Sequence, residues 1–165
     1  DVSAERMERL RQNLARCRLE AETVVADVLD RAPEAAFDAA LLDAPCTATG
    51  TIRRHPELPF IRSGAEVKAL AGLQAALIDR ALGILRPGGR LVYCTCSLLP
   101  EEGEHQVAAA LARHPGLVAD TATALPDGAD PAWCSAEGGL RLRPDFRAGD
   151  GGMDGFYMAR LVRPA

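Results

Sequence analysis

Phe37-Asp38-Ala39-Ala40-Leu41-Leu42-Asp43-Ala44-Pro45-Cys46-Thr47-Ala48-Thr49-Gly50 decides the fold, because it reads as a short apolar strand that stops on an acid and turns at once. An apolar run of this length bounded by turn residues suits a strand buried in a parallel sheet. Pro45 stiffens the turn, so Asp43 and Cys46 stand close together beyond the strand's carboxyl end. Upstream, Glu22 to Ala26 is short and β-branched and runs into Asp27, which predicts a second strand of the same kind. Asp1 reads as the terminal acid of a further strand. Between them Met7, Leu10, Leu14 and Cys17 recur at helical spacing, so an amphipathic helix is expected from Ser3, its N-cap, to Cys17, with Glu5 in its first turn.

Downstream, residues 47 to 63 are rich in Thr, Arg, Pro and Gly and predict a long loop. Val67, Leu70, Leu73, Leu77, Ala81 and Leu85 then mark a helix from Gly64 to Leu85, stopped by Arg86-Pro87-Gly88-Gly89 and followed by a strand from Arg90 to Thr95. Glu101, Glu102 and Glu104 suit the positive end of the next helix, whose apolar side carries Val107 and Leu111 and which ends near His114-Pro115-Gly116. Residues 117 to 139 read as an irregular connection, and Leu140 to Arg143 with Phe156 to Leu161 as a closing antiparallel pair. This order predicts an α/β sheet with parallel strands and helices on its faces. Ligands of such sheets sit beyond the carboxyl ends of the strands, so Asp1, Asp27, Asp43 and Cys96 are expected on one rim.

A chain of 165 residues with 48% hydrophobic content suits one domain, 1–165. A net charge of −4 argues against a broad phosphate-gripping surface and leaves two local basic groups, Arg53-Arg54-His55 and Arg141, Arg143, Arg147. For either group the plain alternative is solvated loop charge. No window approaches the ~18 apolar residues of a membrane span, and no leader pattern is visible, so the cytoplasm is the default compartment. Five cysteines, Cys17, Cys46, Cys94, Cys96 and Cys134, make an odd count that argues against a disulfide scaffold. Their spacing lacks paired C-x-x-C clusters, so no metal is expected.

Taken singly, Cys46 and Cys96 each read as a buried structural thiol, since free cysteine is among the most buried residue types. Taken together, two thiols at the ends of neighbouring strands face one crevice, where a thiolate is a strong nucleophile even at a small ionised fraction.

Asp43-Ala44-Pro45-Cys46-Thr47-Ala48-Thr49-Gly50, Ile52-Arg53-Arg54-His55-Pro56 and Thr95-Cys96-Ser97 resemble the motifs of Sun-type RNA (cytosine-5)-methyltransferases. Leu85-Arg86-Pro87-Gly88-Gly89, Pro100-Glu101-Glu102-Gly103-Glu104 and Gly152-Met153-Asp154-Gly155-Phe156-Tyr157 extend the likeness over most of the chain, and Arg-Arg-His-Pro looks most like the bacterial enzymes of small-subunit ribosomal RNA. The resemblance implies a Rossmann-like class I methyltransferase sheet, mostly parallel with a C-terminal antiparallel pair. It implies S-adenosyl-L-methionine as cofactor and RNA as substrate. Cys96 is then the nucleophile that adds to C6 of cytosine, and Cys46 aids product release. Asp1 matches the acid that binds the cofactor's ribose, Asp27 the acid near its adenine, and Asp43 the acid that holds cofactor or base at the rim; a cap or surface salt bridge is the alternative for each. Arg53, Arg54 and His55 would border the RNA.

The family's glycine-rich cofactor loop and first strands would lie upstream of Asp1. The chain is therefore expected to be part of a longer polypeptide, to expose an unpaired sheet edge, and to bind S-adenosylmethionine weakly and be inactive by itself. A non-catalytic RNA-binding or assembly module on a methyltransferase scaffold is the competing reading.

Overall fold

The computed structural model describes residues 1–30, 36–120 and 129–165. They fall into two compact units, Asp1–Glu34 and Ala35–Ala165.

In the first unit the expected helix forms as α1, Ala4–Cys17, with the Ser3 hydroxyl accepting from Arg6 N–H and Arg18 closing the C-terminus in the left-handed region. Exposed pairs such as Arg9 to Glu5, 2.6 Å, line its outer surface. The strand expected at Glu22–Ala26 does not form. Its backbone bonds to Asp1, with Ala26 N–H donating to Asp1 O at 3.0 Å and the Asp1 amine to Val24 O at 3.3 Å. A β-branched run becomes a strand only where a neighbour pairs with it over several residues, and propensity yields to that context.

The second unit is built on β1 (Phe37–Asp43), β2 (Leu85–Thr95), β3 (Val118–Ala119), β4 (Leu140–Leu142) and β5 (Phe156–Val162). β1 runs parallel to β2, and β5 lies antiparallel to β2, β3 and β4. The closing pair is as expected; β3 was not foreseen within 117–139, of which residues 121–128 lie outside the described residues. α2 (Leu58–Ile61), α3 (Gly64–Gly83) and α4 (Glu104–Arg113) complete the unit. α3 stops before Leu85, which opens β2 instead. Register with β1 then jumps from Phe37–Leu85 to Ala39–Arg90, and Arg86-Pro87-Gly88-Gly89 forms the irregularity.

Strand alternation builds the core on one sheet face. Leu91, Tyr93 and Thr95 of β2 are fully buried, as are Tyr157 and Leu161 of β5. Ile78, Ala81 and Leu82 of α3 and Val107 and Ala110 of α4 pack onto them. β1 was expected to be buried, yet Leu41 is 73% exposed. β1 lies at the end of the sheet path, beside β2. Ala40 and Leu42 meet the core, while alternation turns Leu41 to the other face.

Candidate active site at the ends of β1 and β2

Parallel register sets Asp43 beside Cys94, so both chains leave the sheet at the same level. The Ala44 N–H still donates to Cys94 O at 3.0 Å, after which the two loops diverge. Their thiols return to one another: Cys46 Sγ and Cys96 Sγ are 3.5 Å apart and half-buried.

Residues on either side of Cys46 are held from three directions. Gln74 of α3 donates to Pro45 O at 2.8 Å, and Arg62 Nε to Thr47 O at 3.1 Å. Thr47 also gives its N–H to Glu102 Oε1 at 3.0 Å and its hydroxyl to Glu102 Oε2 at 2.5 Å. Beyond it Ala48 adopts φ 58°, a left-handed conformation that costs a non-glycine residue about 1–2 kcal/mol. That bend carries the loop back to β2, where Gly50 N–H donates to Cys96 O at 2.9 Å and Gly155 N–H to Gly50 O at 2.7 Å. A Cβ on Gly50 would stand 1.9 Å from Gly155 O, so this position admits glycine alone.

The Cys96 loop is secured by a different set. Ser97 Oγ donates to Glu102 Oε2 at 2.5 Å, and the Leu98 N–H to Thr49 Oγ1 at 2.9 Å. Arg141 of β4 donates to Ser97 O, stands over the Tyr157 ring at 4.9 Å and pairs with Glu104 at 2.5 Å.

The thiols differ in electrostatics. A hydrogen bond from Cys46 brings Cys96 down to about 7. The same bond, with burial added, raises Cys46 far above the ordinary thiol range and keeps its proton on. Burial pushes Cys94 up to about 11, with the Asp43 carboxylate adding to the effect. Among these three, Cys96 is the thiol whose ionised form is most favoured, and Cys46 keeps its proton as the hydrogen-bond donor to it.

The other expected site residues divide. Asp43 is exposed at the end of β1, and Cys94 Sγ approaches its Oδ1 at 3.8 Å. Asp1 and Asp27 belong to the Asp1–Glu34 unit. There Asp1 Oδ1 accepts from Ser3 N–H at 2.8 Å and from Arg6 at 2.9 Å, while Asp27 Oδ1 accepts from Leu29 N–H at 2.8 Å. Arg53 reaches Gly151 O at 2.6 Å, Arg54 grips Asp154 at 2.7 Å, and His55 lies 3.4 Å from Glu57. These contacts fasten the basic loop to the segment before β5. Arg54 nevertheless remains 62% exposed in its side chain.

Sequence reasoning does not single out Thr47, Ser97 or Gln74, and it gives other roles to Glu102 and to Arg141, which is a tether of the Cys96 loop rather than a local basic group. Glu102 was taken as a dipole-facing acid of a helix; it is instead completely buried in a 3₁₀ turn, Pro100–Glu102, before α4. The signal available was the cluster of acids after a strand-end thiol. Among the described residues no group of three or more His, Cys, Asp or Glu is placed to hold a metal, and no helix is long and apolar enough to cross a membrane.

A thiol pair at the ends of parallel strands, on a sheet closed by an antiparallel strand, defines a Rossmann-like α/β domain of the methyltransferase class. The profile of the 16S rRNA methyltransferase RsmB/F family matches residues 1–162, and the chain belongs to that family. It is 40% identical over 166 residues to the Ribosomal RNA small subunit methyltransferase B of Shewanella oneidensis, covering 99% of this chain and 36% of that protein. Against its namesake from Pseudomonas putida the identity is 42% over 172 residues, covering 100% and 36%. The chain thus spans about a third of the length of these relatives. Among solved structures, NSun6 from Pyrococcus horikoshii with SFG superposes with a TM-score of 0.81 at 28% identity, covering 100% of this chain and 40% of that one. A methyltransferase homolog protein from the same organism gives 0.77 at 31%, covering 99% and 52%.

Proposed function

We propose that this chain carries the catalytic centre of an S-adenosylmethionine-dependent methyltransferase acting on C5 of cytosine in ribosomal RNA. The 3.5 Å contact between Cys46 and Cys96 carries the reading, because two thiols of opposite protonation tendency suit a nucleophile and its partner in elimination. Ribosomal RNA is inferred from the names of the relatives, and a cytoplasmic location goes with it.

Cys96 Sγ adds to C6 of the base, and the electron pair displaced into the ring makes C5 nucleophilic. Asp43, exposed at the end of β1, would help protonate the ring as the adduct forms. S-adenosylmethionine supplies an electrophilic methyl group on a sulfonium. After transfer the C5 proton leaves to a base and the C6–S bond breaks. Cys46, still protonated, donates to the departing sulfur and so aids release.

The acids of the chain fit such a cofactor by their chemistry. A carboxylate can accept several hydrogen bonds, so Asp1 would accept from a ribose hydroxyl and Asp27 would serve the adenine side. The loop of Arg53, Arg54 and His55 would meet phosphate beside the target, with phosphate competing for Arg54 against Asp154. The target cytosine must leave its stack before C6 is reachable.

The test mixes the full-length protein with S-adenosylmethionine and RNA carrying 5-fluorocytidine and looks for a covalent adduct on a denaturing gel. Fluorine cannot leave as a proton does, so an adduct is expected to accumulate and to vanish in Cys96→Ala. No adduct on any ribosomal RNA fragment, despite cofactor binding, would favour a non-catalytic RNA-binding or assembly role.

A further inference from the structure

We infer that Glu102 is a positioning residue of this reaction, its carboxylate holding the Cys46 and Cys96 loops at the separation that chemistry requires. The inference rests on the thiol roles just proposed. Glu102 is 0% exposed, and burying an ionised carboxylate is costly unless donors meet its oxygens. Here the donors flank the two thiols. Oε1 accepts from Thr47 N–H at 3.0 Å and Gln74 Nε2 at 3.1 Å. Oε2 accepts from the hydroxyls of Thr47 and Ser97, each at 2.5 Å. Thr47 follows Cys46 and Ser97 follows Cys96 in the chain. Gln74 holds Pro45, on the other side of Cys46, at the same time.

The carboxylate is itself fixed. Glu102 O accepts from Tyr93 OH at 2.6 Å and from Thr95 Oγ1 at 3.3 Å, so the backbone beneath the side chain is tied to β2. An apolar residue of similar volume would leave the Thr47, Gln74 and Ser97 donors buried and unpaired, so the position needs an acceptor that reaches all of them. The Glu102 charge opposes formation of the Cys96 thiolate, because it raises that thiol. What remains is geometry: attack on C6 loses about 100-fold for a misplacement of about 1 Å.

Two substitutions in the full-length protein separate reach from charge. In Glu102→Gln the amide oxygen can keep the two N–H donors while its NH₂ donates to the Thr47 and Ser97 hydroxyls, which rotate to accept. Glu102→Asp keeps the charge and loses the reach. The rate of adduct formation with 5-fluorocytidine RNA is expected to fall about 100-fold in Glu102→Asp and to recover to within about tenfold of wild type in Glu102→Gln, with the dissociation constant for S-adenosylmethionine unchanged in both. The pH inflection of that rate moves down in Glu102→Gln, since a repelling charge is gone. If Glu102→Asp does not fold, Thr47→Val and Ser97→Ala each remove one tether and leave the carboxylate in place; each is expected to slow the adduct. Wild-type rates in Glu102→Asp or in both tether variants, or a Glu102→Gln as slow as Glu102→Asp, would overturn the assignment while the reaction stands. No adduct from the wild type would overturn the reaction and this role with it.

Discussion

The Cys46 loop and the Cys96 loop leave neighbouring strands at one level, carry the same functional group and share one buried carboxylate, yet they make two different thiols. Cys46 sits between residues gripped by Gln74, Arg62 and Glu102, and its proton is retained. Cys96 receives the hydrogen bond and is brought down by it to about 7. The difference teaches that cysteine chemistry here is set by the partner rather than by burial, since both side chains are half-buried. Cys94 marks the contrast: on β2, two residues before Cys96, it is pushed up to about 11 chiefly by burial, with the Asp43 carboxylate adding to the effect.

Removing one thiol or the other breaks this contrast most directly. Cys96→Ala is expected to abolish the adduct and lower turnover by at least about 10⁴-fold, measured by methyl transfer to RNA. Cys46→Ala should lower turnover by about 100-fold while the adduct survives and builds up on ordinary RNA, because only release is impaired. A Cys46→Ala that forms no adduct would reverse the roles of the two loops.

The pH dependence sharpens the same contrast. In the proposed reaction Cys96 attacks as thiolate, and the hydrogen bond from Cys46 lowers its pKa from 9.0 to about 7. The adduct rate should therefore rise about tenfold per pH unit below 7 and level off above it. In Cys46→Ala the donor is lost, so the inflection moves up toward 9.0. An unchanged inflection would mean that Cys46 does not set the state of Cys96.

The tethers differ in expected strength. Arg141, on the Cys96 side, has a side chain only 12% exposed and pairs with Glu104, so Arg141→Met should cost about 2 kcal/mol in urea unfolding. Arg54, near the Cys46 loop, is paired with Asp154 but 62% exposed. Arg54→Ala should change stability by less than about 1 kcal/mol. Equal losses would erase the distinction.

Much of this site was legible in the residues. Pro45-Cys46 and Thr95-Cys96-Ser97 stood at strand ends because apolar runs stop there, and α1, α3 and the β4–β5 pair followed from periodicity and turn residues. The strand at Glu22–Ala26 failed because side-chain preference cannot supply the neighbour a ladder needs. Exposed Leu41 failed because an apolar run specifies suitability for burial and not what lies against each face. Glu102 was hidden for a related reason: an acid five residues after Ser97 looks the same to composition whether it caps a helix or accepts from Thr47, 55 positions away. Only the fold reveals its donors.

The backbone stitch that joins Gly50, Cys96 and Gly155 also has a bearing on biosynthesis. During translation the segments bearing both thiols emerge well before Gly155 and β5 do, and β5 pairs directly with β2. Contacts between such distant positions close late and make folding slow. A nascent chain therefore lacks the finished stitch around the two thiol loops until nearly all of this region has been made.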